Sequence, residues 1–194
     1  MRWGQGQGSG GEVEQLATGA VRKKAELRRR GVRGQTRARG WVVLDLGVAP
    51  DPSWMDPWTT PEAFSITFHD ETSGTMRRLG LTELRELGEG SYEEDWHCVT
   101  GWTAPGVGFR GVPLRRVLEH LGFLSGPWEC LHQMGADSYT VNVSREDAMD
   151  DRAFLCLDDS EGRLLSREHG GVRLVFPHLF GWKSCKWLTE VSFL

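Results

Sequence analysis

The sequence predicts a single mixed α+β domain, in which short helices intervene between strands, and three observations carry that expectation. Apolar and polar residues alternate at strand spacing through much of the chain, one segment repeats its leucines at helical spacing, and 194 residues suffice for one core but not comfortably two. In chain order, Trp41-Val-Val-Leu-Asp-Leu46 reads as a strand, and the Pro- and Trp-rich stretch from Ala49 to Pro61 reads as irregular chain. Phe64-Ser-Ile-Thr-Phe68 alternates as a half-buried strand does, and a short helix over Glu83 to Leu87 follows with Thr82 as its cap. Leu114, Val117, Leu118 and Leu121 line one helical face behind Pro113, with Gly122 placed to end the helix. Trp128 to Gln133 and Tyr139 to Val143 read as strands, and Ser144-Arg-Glu-Asp147 opens a short helical turn. Ala153 to Leu157, Arg163 to Leu165, Val172 to Phe176 and Trp187 to Phe193 complete a strand-rich second half, with Asp159 to Gly162 as a turn.

Charge divides the chain. Residues 1–40 hold ten Lys/Arg against three Asp/Glu, whereas the remainder carries a balance of −11. The opening run is too rich in glycine to bury a core, so residues 1–33 are expected to form a flexible basic tail ahead of a domain at 34–194. A solvated tail is the plainer reading of that charge; contact of residues 22–39 with nucleic acid or an anionic surface is the lesser one. No window approaches the length of apolar chain that spans a bilayer, and no apolar stretch follows Arg28-Arg29-Arg30 as it would in a secretion signal, so the expectation is a cytoplasmic protein. Cys98, Cys130, Cys156 and Cys185 form no CxxC pair, which argues against a zinc ribbon or thioredoxin-type site; two disulfides remain possible on count alone.

Two segments concentrate chemistry. Asp95-Trp-His-Cys-Val-Thr-Gly-Trp102 places a thiol in what reads as a loop crowded by aromatics, where it could ligate a soft metal or act as a nucleophile. The run from Glu168 to Trp187 gathers His169, Arg173, His178, Lys183 and Lys186 among glycines, a composition suited to cradling a phosphate. The histidines His97, His132 and His178 are each at least as well explained by structural hydrogen bonding.

These residues also carry a resemblance. His-Cys-Val-Thr-Gly-Trp102, Phe109-Arg-Gly-Val-Pro-Leu114, Glu168-His-Gly170, Arg173-Leu-Val-Phe-Pro177 and Gly181-Trp-Lys-Ser-Cys-Lys-Trp187 occur in the order found in sulfite-oxidase-type molybdopterin-binding oxidoreductases, especially the small bacterial members. The chain resembles that family from about Gly34 through Leu194, which implies the sulfite oxidase molybdopterin-binding fold and a molybdenum-molybdopterin cofactor (Moco). By resemblance, Cys98 is the catalytic thiolate and metal ligand. His169, Arg173, Ser184, Cys185 and Lys186 match cofactor contacts, and Gln133 lies near another. The family usually has a proline ahead of its Val-Arg pair, where this chain reads His169-Gly-Gly-Val-Arg173, one residue shorter.

The resemblance implies an oxidoreductase that moves an oxo group to or from a small sulfur- or nitrogen-containing substrate. Sulfite itself does not follow, because the dimerisation domain, catalytic tyrosine and extra arginines of the sulfite oxidases proper have no assignable equivalent. The chain has no CxxCH haem motif, so electrons are expected to pass to a separate partner or a diffusible acceptor. The alternative from another functional class is a molybdopterin-binding carrier without turnover.

Overall fold

The computed structural model describes residues 34–44 and 47–194. The expected tail at 1–33 lies outside the described residues. Within them stand ten strands and three short helices, in two five-stranded sheets.

The first sheet is organised around β5 (Trp102–Pro113), which pairs antiparallel with β4 (Gly90–Cys98) and with β8 (Phe154–Asp159). The two-residue β1 (Thr36–Arg37) adds in parallel beside Trp102 and Thr103, and β9 (Arg173–Val175) joins the far side of β8. Gly111 is obligatory where β5 meets β8, since a Cβ there would fall 2.1 Å from the Leu155 carbonyl oxygen.

In the second sheet, β10 (Leu188–Phe193) lies between β2 (Ser65–Asp70), its parallel neighbour, and β6 (Cys130–Gly135), its antiparallel one. The outer strands β3 (Thr75–Gly80) and β7 (Thr140–Ser144) close hairpins with β2 and β6. Burial alternates strictly along β2 and β6, and their inward residues, with those of β10, enter the larger core cluster. Each buried Leu or Phe there contributes about 1.5–3 kcal/mol relative to its exposed state.

Helix α2 (Leu114–Leu121) follows the expected periodicity: Leu114, Val117, Leu118 and Leu121 are buried, and Gly122 takes the left-handed φ of 77° that ends it. Pro113 serves as its cap rather than its first helical residue. Helix α1 (Leu81–Glu86) begins one residue before the expected cap. Gly80 takes that place and donates its N–H to the Glu83 carboxylate, so Thr82 lies inside the first turn. In α3 (Arg145–Ala148), the Ser144 hydroxyl accepts from the Asp147 N–H at 3.1 Å, as its sequence pattern suggests.

Two expected strands are absent. Trp41 to Leu44 is irregular chain, because the Trp41 ring turns into the first sheet's aromatic cluster while Val42, Val43 and Leu44 stay exposed. Arg163 to Leu165 contributes only an isolated bridge between Leu164 and Asp158, since Arg163 is committed to Asp159 across the turn. The strands β1, β3, β4 and β5 were not expected.

Candidate cofactor site

Cys98 does not sit in a loop. It is the last residue of β4, where it pairs with Trp102 across a turn of three residues. Its side chain is buried, with Sγ 3.0 Å from the Thr100 hydroxyl. The turn needs Gly101 at φ 96°, a conformation that side-chain-bearing residues rarely adopt. All four cysteines are free thiols. Burial pushes the Cys185 thiol up to about 12 and raises Cys156 further, so neither is a thiolate at neutral pH.

Two residues before Cys98, Trp96 turns toward the second chemical segment. Its ring lies 4.9 Å from the Arg173 guanidinium, and Trp41 packs 4.8 Å from Trp96 while stacking on His169 at 4.0 Å. Arg173 enters this cluster from β9 and is 3% exposed. Its Nε donates to the Ser184 hydroxyl at 2.8 Å, one terminal nitrogen donates to the His169 carbonyl at 2.7 Å, and the other donates to the Ser184 carbonyl. No carboxylate among the described residues pairs with it, and burial pushes its pKa down to about 10. A buried cation held only by neutral oxygens is costly, and an anion beside it relieves that cost.

The other expected residues converge on the same segments. Gln133 is fully buried on β6 and bridges to the 183–185 chain, donating to the Lys183 carbonyl at 2.8 Å and accepting from the Cys185 N–H at 3.2 Å. Lys186 packs against Gly170, where a Cβ would fall 2.6 Å from the lysine's own Cβ, and Trp187 N–H donates to the Gly170 carbonyl. His169 is half-buried and its pKa is lowered, chiefly by that burial and also by the nearby Arg173 and Lys186 cations. Gln133, His169, Arg173, Ser184, Cys185 and Lys186 are thus one connected group; Trp96 joins β4 to it, whereas Cys98, two residues further along the strand, contacts Thr100 and Gln35.

Three further lysine and histidine candidates make other contacts. Lys183 donates to the Asn142 carbonyl at 2.6 Å, His178 lies between Asp147 and Asp150, and His132 is half-buried on β6. Sequence reasoning missed Trp41, Trp96 and Gln35 as parts of the site. The excess of tryptophan was the available signal, but it does not say which indoles meet the cation.

The chemistry of this donor set fits an anionic cofactor: a buried guanidinium that no carboxylate among the described residues pairs, and a second cation at Lys186 seated over Gly170. Space is tighter. The cleft between β4 and the 181–184 turn has about 10 Å³, room for one water, because the Trp96 indole stands where a Cβ on Gly181 would fall.

Comparison with known proteins places this arrangement. The fold is similar to that of the sulfane dehydrogenase SoxCD from Paracoccus pantotrophus, with a TM-score of 0.58 and 21% identity over 67% of this chain and 38% of that one. Nitrate reductase [NADH] 2 of Phaseolus vulgaris is 32% identical over 95 residues, 43% of this chain but 11% of that enzyme. The uncharacterized oxidoreductase YuiH of Bacillus subtilis (strain 168) is 34% identical over 161 residues, 82% of this chain and 76% of that protein. Residues 54–194, most of the chain, match the oxidoreductase molybdopterin binding domain, and the chain belongs to that family of molybdopterin-dependent oxidoreductases.

Proposed function

We propose that this oxidoreductase binds its molybdenum cofactor with Cys98 as the protein's thiolate ligand, and that it transfers an oxo group to or from a small sulfur- or nitrogen-containing substrate. When bound, the metal centre supplies the two-electron redox chemistry; the protein supplies position, charge and exclusion of water. Arg173 and Lys186 neutralise the cofactor's phosphate, and Ser184 orients the guanidinium by accepting from it with both its hydroxyl and its carbonyl. Trp96 and Trp41 wall the site from solvent, which strengthens those charge contacts. Electrons pass to or from a separate partner or a diffusible acceptor. No helix among the described residues is long and apolar enough to cross a membrane.

The observation that carries the reading is Arg173: a buried cation that no carboxylate among the described residues pairs, packed against Trp96 two residues before Cys98. The test is the molybdenum and pterin content of the purified protein, with turnover measured using artificial acceptors and donors. The wild type retains both components and turns over; Cys98→Ser loses turnover while still folding. A fully active, metal-loaded Cys98→Ser protein refutes the ligand assignment.

A further inference from the structure

The family match begins at residue 54, yet the segment 35–41 ahead of it touches both halves of the site. Gln35 donates from Nε2 to the Cys98 carbonyl at 2.9 Å, and its Oε1 accepts from the Thr103 hydroxyl. The Thr103 oxygen also contacts His97 Nδ1 at 2.9 Å. At the other end of the segment, the Trp41 carbonyl contacts His169 Nε2 at 3.2 Å, while Ser166 Oγ lies 3.1 Å from His169 Nδ1. Main-chain bonds from Thr36 N to Gly101 O and from Ala38 N to Thr103 O, each 2.8 Å, fasten the segment to the turn that carries Cys98.

Counting donors and acceptors places a proton on each of the two histidines. A carbonyl only accepts, so the Gln35 amide must turn its nitrogen to Cys98 and its oxygen to Thr103. The one hydroxyl proton of Thr103 is then committed to Gln35, and only lone pairs remain for His97. His97 must therefore carry its proton on Nδ1, leaving Nε2 as an acceptor on a ring that lines the cleft beside Trp96. By the same reasoning the Trp41 carbonyl requires a proton of His169 on Nε2, with the Ser166 hydroxyl, which also bonds the Glu168 carboxylate, beside Nδ1. The two site histidines are held in opposite tautomers by one strap.

We infer that Gln35 and the Trp41 carbonyl are positioning groups: the strap at 35–41 locks the main chain at Cys98 and sets the tautomers of His97 and His169. The functional meaning rests on the assignment of Cys98 as metal ligand, but the tautomers themselves do not.

The experiment uses the full chain labelled with ¹⁵N-histidine, read by long-range ¹H–¹⁵N correlation, with His97→Gln and His169→Gln to assign the signals. The wild type shows His97 protonated at Nδ1 and His169 at Nε2. In Gln35→Met the Thr103 hydroxyl is freed, so His97 loses its exclusive Nδ1–H form while His169 is unchanged, and molybdopterin content falls about fivefold. In Gln35→Glu the carboxylate still takes the Thr103 proton, so His97 keeps its tautomer; the donor to Cys98 is gone and cofactor content falls as in Gln35→Met. Thr103→Val keeps the side-chain shape, releases the same tautomer, and stands in if Gln35→Met does not fold. A wild-type His97 in the Nε2–H form, or one unaltered in Gln35→Met and Thr103→Val, overturns the inference. If the tautomers respond as stated but even the wild type carries no molybdopterin, the strap holds and the cofactor assignment falls.

Discussion

Replacing Arg173 by lysine keeps the charge and removes the fork, which separates the two contributions of this residue. The guanidinium ties three oxygens together, the Ser184 hydroxyl and the carbonyls of Ser184 and His169. A lysine ammonium in the same shaft reaches one of them, so two buried acceptors lose their donor. Each costs about 1–3 kcal/mol, and Arg173→Lys is expected to destabilise the cofactor-free protein by about 3 kcal/mol. For a domain of this size that is a fall of about 6–12 °C in melting temperature. Arg152→Lys serves as control: its partner is the partly exposed Asp150, and the change there should stay within about 0.5 kcal/mol. The assay is thermal and urea unfolding of the cofactor-free protein, followed by pterin content after expression with cofactor supply. Retention should fall about thirtyfold for a loss of about 2 kcal/mol at a charge-assisted contact. An Arg173→Lys protein as stable as Arg152→Lys would show that the guanidinium does not join β9 to the 181–184 turn, and the account of the site would fail.

Three other outcomes are expected. Gly111→Ala drives a Cβ into the Leu155 carbonyl and the Cys156 Cα, both backbone, so β5 and β8 must separate locally and stability drops by about 3 kcal/mol or more, measured by urea unfolding. Hydrogen bonds from Arg152 hold the Asp150 carboxyl well below the usual carboxylate range; a depressed folded pKa contributes stability above about pH 4 that disappears as pH falls further, and Arg152→Met should flatten that acid limb in pH-dependent melts. A chain starting at Gly34 should match the full chain in melting temperature and molybdenum content, since the composition of residues 1–33 offers little apolar surface to bury; a loss in either shows that those residues pack on the domain.

What could be read from the sequence followed local periodicity. Helix α2 and the strands β2, β6, β7, β8 and β10 each put apolar residues at the spacing their geometry demands, and all lie within a few residues of where the pattern places them. β4 and β5 escaped because their composition mimics a loop. Glu93, Glu94 and Asp95 charge the end of one, while Gly106, Gly108 and Gly111 with Pro105 and Pro113 punctuate the other. Those glycines answer a tertiary demand: at Gly108 and Gly111, the neighbouring chain at Ser160 and Leu155 leaves no room for a Cβ. The site divides in the same way. Residues 168–187 are contiguous, so their charge and glycine content stand out in the sequence, but Trp41 and Trp96 reach them, and Gln35 reaches Cys98, through contacts spanning as many as 128 positions, which no local pattern records.

The position of β10 imposes an order on how this protein comes into being. Residues 65–70 and 130–135 leave the ribosome early as two separate hairpins, each with an open edge, and nothing pairs them until residues 188–193 arrive to fill the gap. Closing a sheet across more than a hundred residues is slow compared with forming a hairpin. The cradle at 168–187 runs directly into that strand, and Gln133 reaches it from the strand on the other side of the gap. The group around Arg173 and Gln133 therefore is not assembled in the nascent chain. It forms in the same step that seals the sheet, and the two exposed strand edges need protection until that moment.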